Sequence, residues 1–227
     1  MTGLSAAREG TMAMRINVGC GMTPTKDWVN FDNSFSLRLA KGGYLGVLVG
    51  ALPLLTSPQR SFISFARNAG IHYGDATTGL PLPPASVEVL YSSHMLEYLD
   101  REEARKFLAE ARRLLASGGI LRLAVRDMRT LVEEYLATGD SDAFIDKTSL
   151  SETKPKGVFA KLRYMLFTGF RHHHWMYDSV SLPKLLIEAG FRDPIVLPPG
   201  ETTISDPGLL DLRERWDESL YVEARNP

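Results

Sequence analysis

Apolar positions along the chain recur in two alternating periods. Short runs rich in β-branched residues are followed by segments whose apolar side chains lie three and four residues apart. Met14 to Val18 reads as a first strand and ends in the turn Gly19-Cys20-Gly21. Val29-Asn30-Phe31 is a second, ending at Asp32, and Ile71-His72-Tyr73 a third, ending at Gly74-Asp75. Val87 to Tyr91 is a buried fourth strand, Ile120 to Val125 a fifth, and Leu220 to Ala224 a last one. Between the fourth and fifth, Asp100 predicts an N-cap, and Glu103 three residues later completes a capping box. Phe107, Leu108, Ala111, Leu114 and Leu115 then share one helix face, and Ser117-Gly118-Gly119 is the expected stop. Further helices are predicted over Met128 to Leu136, over Val158 to Phe167, and after Ser181. Ser181 is read as the cap of that helix, Pro183 lies in its first turn and Gly190 ends it. The stretch from Thr138 to Lys156 reads as irregular. This alternation predicts an α/β fold, a parallel sheet with helices on both faces. One interval breaks the pattern. Only Met22 to Trp28 separate the glycine turn from the second strand, where a parallel crossover ordinarily takes roughly a dozen residues or more. Either the first helix is reduced to a turn, or the second strand starts later.

Composition narrows the function classes. The chain has 227 residues, of which 44% are hydrophobic and 23% charged, a balance that suits a single domain over 1–227. Its 26 basic and 27 acidic side chains give a formal net charge of -1. Such a chain has no overall field to attract nucleic acid, and none is expected as a partner. Cys20 is the one cysteine, so no intramolecular disulfide forms and a cytoplasmic location is expected. Met1 to Met12 lack an apolar h-region and read as a loose tail. The most apolar run, Gly43 to Leu55, falls short of the about 20 residues a bilayer needs, so no transmembrane segment is expected. Lys156, Lys161 and Arg163 border the Val158 to Phe167 helix. They are a solvated edge of a core-covering helix or a site of peripheral membrane contact. The sequence sets no oligomeric state.

The chemistry concentrates at strand ends. In an open α/β sheet, ligands bind outside the carboxyl ends of the strands. Asn17-Val18-Gly19-Cys20-Gly21, Asp32 and Asp75-Ala76 all sit there. Glycines allow close backbone approach, and an acidic side chain at the second strand end accepts hydrogen bonds from ribose hydroxyls. The turn does not make a dinucleotide fingerprint, because the third glycine of G-x-G-x-x-G falls at Pro24. A nicotinamide-dependent oxidoreductase is disfavoured on that ground. There is no P-loop lysine pattern either.

Several of these segments occur together in one known family. Val18-Gly19-Cys20-Gly21, Asn30-Phe31-Asp32, Gly74-Asp75-Ala76 with Leu80-Pro81-Leu82-Pro83, and Val89 to Leu99 resemble the successive motifs of class I S-adenosylmethionine-dependent methyltransferases. Within Val89 to Leu99, Ser92-Ser93-His94-Met95-Leu96-Glu97-Tyr98-Leu99 is similar to the S-x-H-x-L-E-H-L stretch of a small-molecule subgroup. Arg112 to Leu115 with Gly118 to Leu121 matches the stretch before the family's fifth strand. The likeness covers about Arg15 to Val125 and continues weakly to Phe191. It implies a Rossmann-like, mostly parallel seven-stranded sheet with S-adenosylmethionine as cofactor and S-adenosylhomocysteine as product. By the resemblance, Gly19, Cys20 and Gly21 line the methionine part, and Asp32 binds the ribose. Asn33 lies beside the adenine, Asp75 and Ala76 flank its edge, and Ser93 and His94 approach from the fourth strand end. The chain departs from the family at Thr23, where a third glycine is usual, and in its nearly absent first helix.

The residues also carry plainer readings. Asp32 suits a turn, Cys20 is a small side chain in a tight turn, and Glu97 reads as part of a solvated turn. Consecutive side chains diverge in Arg171-His172-His173-His174-Trp175-Met176-Tyr177-Asp178, and partner ligands at metal spacing are missing, so no metal is assigned. These histidines are surface groups or border an acceptor site. Methyl transfer requires alignment of nucleophile, methyl and sulfur near contact, at about 3–3.5 Å, with water excluded. If the acceptor loses a proton, His94 and His174 are the candidate bases and Tyr177 an orienting group. Ser34 to Arg67 and Thr138 to Tyr177 exceed ordinary loop lengths and are expected to act as lids, near 34–67 and 138–177. Leu45, Val47 and Leu48 in one are expected to meet Phe159, Leu162 and Phe167 in the other, with His174 and Tyr177 at the pocket mouth near His94. A small-molecule, glycan or lipid-linked acceptor fits these features. The alternative is a non-catalytic S-adenosylmethionine-binding protein that retains the fold.

Overall fold

The structure, a computed structural model, describes residues 14–42, 57–149, 157 and 172–227. A seven-stranded sheet runs through it in the order β3-β2-β1-β4-β5-β7-β6. The strands are β1 Met14–Val18, β2 Val29–Asp32, β3 Ile71–Tyr73, β4 Val87–Ser93, β5 Leu115–Arg126, β6 Arg192–Leu197 and β7 Ser219–Arg225. Neighbours from β3 to β5 pair in parallel, while β7 is antiparallel to both β5 and β6. This is the mostly parallel seven-stranded sheet expected from the sequence. The chain begins at β1, moves outward to β3, and returns to β4 on the other side of β1. That reversal puts the topological switch point at the carboxyl ends of β1 and β4, where open α/β sheets bind ligands.

The short first crossover is a helix reduced to turns: residues 19–28 carry no helix. Two asparagines hold it. Asn17 Nδ2 donates to Thr25 Oγ1 at 3.1 Å and to the Thr23 carbonyl at 3.2 Å. Asn30 Oδ1 accepts from Thr25 N–H at 2.8 Å, and Asn30 Nδ2 donates to the Thr25 and Trp28 carbonyls, both at 2.9 Å. Buried side-chain amides thus satisfy the backbone groups that a helix would have satisfied internally.

The described parts of the 34–67 interval are helical. α1, Phe35–Lys41, is capped by Ser34, and α2 is Ser57–Asn68. Leu37 and Ala66 from these helices form a small core with Cys20 and Ile71, so the pair packs beside the glycine turn. α3, Arg101–Leu114, has the full Asp100–Glu103 capping box. It ends sooner than the glycines suggested, because β5 already begins at Leu115. The extra residues form an irregularity: Val87 pairs with Leu115, but Val89 pairs with Ile120. α4, Met128–Thr138, starts at the Asp127 cap and stops at left-handed Gly139.

Where an irregular stretch was expected after Thr138, α5 forms over Ser141–Thr148, capped by Asp140. α6 is Ser181–Glu188. Ser181 is not its cap but its first residue; the N-cap position is Val180, and Asp178 just before it holds the entering turn. The Asp178 Oδ1 accepts from Val180 and Ser181 N–H at 3.0 and 2.7 Å. The Val158 to Phe167 helix and the apolar residues Leu45, Val47, Leu48, Phe159, Leu162 and Phe167 lie outside the described residues, as do Gly43 to Leu55, Met1 to Met12, Lys156, Lys161 and Arg163.

The two sheet faces are covered differently. On one, Phe107 and Leu108 of α3 and Leu182, Leu185 and Leu186 of α6 pack with Ile16, Val18, Leu90, Leu121 and Val222. On the other, Val89, Tyr91, Ile120, Ala124 and Tyr221 meet Ile204 and Leu210. These two come from the non-helical segment 198–218, which replaces a covering helix there and carries polar groups toward the crevice. Among the described residues, no helix is long and apolar enough to cross a membrane.

Candidate functional site

The turn after β1 is built for close backbone approach. Gly19 and Gly21 adopt φ of 73° and 50°, a region that favours glycine. A Cβ on Gly19 would stand 2.7 Å from Met95 Cγ, so β4's exit packs directly on this turn. Nothing lies within 4 Å of where a Gly21 Cβ would be, which leaves open space on that side. The Cys20 side chain points away into the small core under α1 and α2. Burial, followed by the Asp32 and Glu214 carboxylates, pushes its thiol up to about 12, so it stays protonated.

Asp32, at the end of β2, faces this turn. Its Oδ2 accepts the Gly21 N–H at 3.2 Å and its Oδ1 the Ser34 N–H at 2.8 Å. Each oxygen retains a lone pair, and no cation pairs with the carboxylate among the described residues. Asn33 is exposed next to it. Asp75 is half-buried at the end of β3, and its Oδ1 takes the N–H and hydroxyl of Thr77 at 2.9 and 2.7 Å. Ala76 is buried. An acceptor-only carboxylate beside an open glycine turn fits a ligand with paired hydroxyls, such as a ribose.

The exit of β4 holds the titratable groups. Ser92 Oγ donates to the Val18 carbonyl at 2.8 Å, locking β4 to β1, and Ser93 ends the strand. His94 follows with φ 46°, unusual for a non-glycine residue and frequent at functional sites. Its N–H is held by the Ala124 carbonyl at 2.8 Å. One ring nitrogen, Nε2, meets Ser219 Oγ at 2.8 Å, and the other, Nδ1, lies 3.2 Å from Glu97 Oε1. Glu97 is not in a solvated turn but fully buried, and its Oε1 also accepts the Arg126 N–H at 2.7 Å. Burial alone raises its pKa, yet the His94 contacts and the Arg126 N–H prevail and hold it below the ordinary carboxylate range.

The histidine cluster joins this corner. His174 and Trp175 donate their N–H groups to the Glu97 carbonyl at 2.8 and 3.2 Å. The side chain turned inward is His173, which is buried edge-on against Tyr98 at 4.9 Å, while His174 is exposed. Burial is the main cause that lowers the His173 pKa, with the Arg126 and His94 charges adding to it. Tyr177 sits at the carboxyl end of β5, in a bridge with Asp127, but its ring is fully buried in the main core. It therefore does not reach a pocket mouth. Among the described residues no group of three or more His, Cys, Asp or Glu could hold a metal ion.

Sequence reasoning missed Glu97, His173, Ser219 and Glu214 as members of this corner. The S-x-H-x-L-E spacing carried a signal for Glu97, since a short 3₁₀ turn at Leu96–Tyr98 folds it back under His94. Ser219 and Glu214 arrive from the far end of the chain and carry no local signal.

Residues 56–123 match the family model described as a methyltransferase domain. A solved S-adenosylmethionine-dependent methyltransferase from Thermotoga maritima is similar at 15% identity and TM-score 0.47, covering 94% of this chain and 82% of that one. One from Mesorhizobium loti has 18% identity and TM-score 0.46, with 93% and 90% covered. One from Archaeoglobus fulgidus has 12% identity and TM-score 0.48, with 94% and 86% covered. No curated protein sequence matches the chain. The stretch matched to the methyltransferase domain runs from α2 into β5 and includes the Gly74-Asp75-Ala76 and Ser92 to Leu99 motifs.

Proposed function

We propose that this chain is an S-adenosylmethionine-dependent methyltransferase, that it serves a small-molecule, glycan or lipid-linked acceptor and that His94 receives the acceptor's proton. The observation that carries the reading is the convergence on one crevice of Asp32, hydrogen-bonded to the Gly21 N–H at 3.2 Å, and of His94, backed by Glu97 at 3.2 Å. When bound, S-adenosylmethionine supplies an electrophilic methyl group on a cationic sulfur. Asp32 binds the ribose hydroxyls, with Asn33, Asp75 and Ala76 around the adenine. The Gly19-Cys20-Gly21 backbone and Ser93 line the methionine side. The buried Glu97 carboxylate orients the His94 ring and stabilises its imidazolium, so Nε2 receives a proton from a nucleophile placed where Ser219 Oγ now meets it. His174, exposed at the rim, is the second proton acceptor, and Tyr177 supports this corner from within the core. The two intervals 34–67 and 138–177 act as lids on one domain.

Titration calorimetry with S-adenosylmethionine and S-adenosylhomocysteine tests cofactor binding, expected in the micromolar range, about -7 to -8 kcal/mol. Transfer of a labelled methyl group from the cofactor to small-molecule, glycan and lipid fractions tests the acceptor class. His94→Ala is expected to lower that transfer by about 10²- to 10⁴-fold. Cofactor binding without transfer to any fraction would instead assign the non-catalytic role.

A further inference from the structure

We propose that Glu214, in the segment between β6 and β7, is the anionic contact for the ammonium group of the cofactor's methionine arm. The proposal rests on the cofactor reading above and assigns a residue from outside the family's strand-end motifs.

Glu214 is fixed in place from two sides. Its Oε2 accepts the Tyr91 hydroxyl at 2.9 Å and its Oε1 the Thr23 hydroxyl at 3.0 Å. Its carbonyl accepts the Ser219 and Tyr221 hydroxyls at 3.1 and 2.8 Å. The carboxylate is therefore held against β4 and the end of the glycine turn, although it comes from a segment with no regular structure. All its donors are neutral hydroxyls. Among the described residues, no lysine or arginine forms an ion pair with it. The adjacent cations are turned elsewhere: Arg213 lies against Gly200, and Arg215 pairs with Glu218 at 3.7 Å. A half-buried carboxylate with no counter-ion is costly to hold in one place, and a cationic ligand removes that cost.

A second acceptor in the same network also lacks a donor. Asn17 is 2% exposed, and its Oδ1 is buried with no hydrogen-bond partner. Its Nδ2 donates to the Thr23 carbonyl at 3.2 Å, and Asn17 is the direct register partner of Tyr91. Around Thr23, then, the protein presents a carboxylate and an amide carbonyl that are short of donors. An ammonium group, with three N–H donors and one positive charge, complements that pair.

The position along the cofactor follows from the sheet order. β2 and β4 flank β1, so Asp32 and Glu214 stand on opposite sides of the glycine turn. Both carboxylates act electrostatically on the buried Cys20 thiol of this turn. With the ribose on Asp32, the far end of S-adenosylmethionine, which bears its ammonium group, extends past Gly19 and Gly21 toward Glu214.

The test is calorimetric binding of three probes to the full chain and to Glu214→Gln. The probes are S-adenosylhomocysteine, 5′-methylthioadenosine, which lacks the amino-acid arm, and 5′-(3-aminopropylthio)adenosine, which keeps the ammonium and lacks the carboxylate. Glu214→Gln is expected to weaken S-adenosylhomocysteine and the aminopropyl compound by about 10- to 100-fold, in line with loss of a charge-assisted contact, and to leave 5′-methylthioadenosine unchanged. Equal losses for all three probes, or no loss for S-adenosylhomocysteine, would overturn the assignment. The unsubstituted chain decides independently if the variant does not fold: it must bind the aminopropyl compound more tightly than 5′-methylthioadenosine, and equal affinities refute the role of Glu214 while leaving the cofactor reading intact. If the unsubstituted chain binds none of the three, the cofactor reading and the assignment both fall.

Discussion

The carboxylate of Asp32 accepts the backbone N–H of Gly21 at 3.2 Å, which joins the end of β2 to the turn after β1. The same side chain holds the Ser34 N–H at the entry to α1. A residue that lies at the ligand crevice thus also organises it. Asp32→Ala is expected to weaken S-adenosylmethionine binding by one to two orders of magnitude, about 1.5–3 kcal/mol for the lost charge-assisted bonds. It is also expected to lower stability by about 1 kcal/mol for each N–H left unpaired. Asp32→Asn keeps an accepting oxygen and recovers part of the stability without restoring the affinity. Calorimetry and urea unfolding on the three proteins check both effects. An unchanged dissociation constant in folded Asp32→Ala would refute the ribose role.

Gly19 is constrained twice, by its φ of 73° and by Met95 Cγ, which would stand 2.7 Å from a Cβ at this position. Gly19→Ala therefore incurs backbone strain of about 1–3 kcal/mol and a steric overlap with Met95. Met95→Ala removes the overlaps with Cγ and Sδ and leaves the Met95 Cβ contact at 2.9 Å and the strain. The double variant is expected to be more stable than the sum of the single losses predicts. Strict additivity in a double-mutant cycle would show that Met95 does not rest on this turn.

The pH dependence of stability follows from two buried groups. His173 has a folded pKa below its ordinary value, mainly through burial. The unfolded chain then binds the proton first, so stability declines as pH falls below about 6.5, the unperturbed histidine value. Glu97 is also depressed, since its His94 and Arg126 contacts outweigh the opposing effect of burial. Its contribution is complete above about 4.3, the unperturbed value, and is lost as pH falls through the folded value. His173→Asn is expected to flatten the upper limb of the stability–pH curve and Glu97→Gln the lower one. Urea midpoints from about pH 8 down to about pH 2, a range that reaches below the ordinary carboxylate value, check this. A curve unchanged by both substitutions would contradict the buried placement of the pair.

The sheet was legible because its strands are local signals with turns at their ends. Met14–Val18, Val29–Asp32 and Ile71–Tyr73 emerged from apolar runs closed by Gly19, Asp32 and Gly74. β6 did not, because Pro194 interrupts it, Asp193 has φ 51° and its side chains are largely exposed. α1, of seven residues, is too short to establish a helical period. At the site, Asp32 could be read from its strand-end position, and His94 from the resemblance carried by Ser92 to Leu99. Glu214 and Ser219 could not, since their partners Thr23, Tyr91 and His94 are more than a hundred residues away in sequence. Such contacts are products of topology, and only the antiparallel return of β7 brings them to the crevice.

Arg122 of β5 and Glu223 of β7 are direct register partners and are 0% and 1% exposed. Their side chains meet at 2.6 Å between Nη1 and Oε1. Glu223 is further held by the Thr202 hydroxyl at 2.5 Å and by the Thr203 N–H and hydroxyl at 2.7 and 2.6 Å. Burial raises the Glu223 pKa, but these donors and Arg122 together hold it below the ordinary carboxylate range. Arg122 is less well satisfied: its Nη1 also reaches the Glu201 carbonyl at 3.0 Å, while Nε and Nη2 have no partner. Two charges in such a site gain from each other mainly by offsetting their own desolvation. Removal of either one leaves the other buried and uncompensated. Arg122→Met and Glu223→Leu are each expected to cost about 3–5 kcal/mol. The double variant replaces the pair with apolar volume between Tyr221 and the 198–218 cover, and it is expected to cost much less than the sum. It should also lose the acid sensitivity that Glu223 confers, because stability present above about 4.3 no longer depends on keeping that carboxylate ionised. Chemical denaturation of the four proteins at neutral and acid pH measures both effects. Additive losses across the cycle would show that the two charges are solvated separately and that the 198–218 segment does not seal this face.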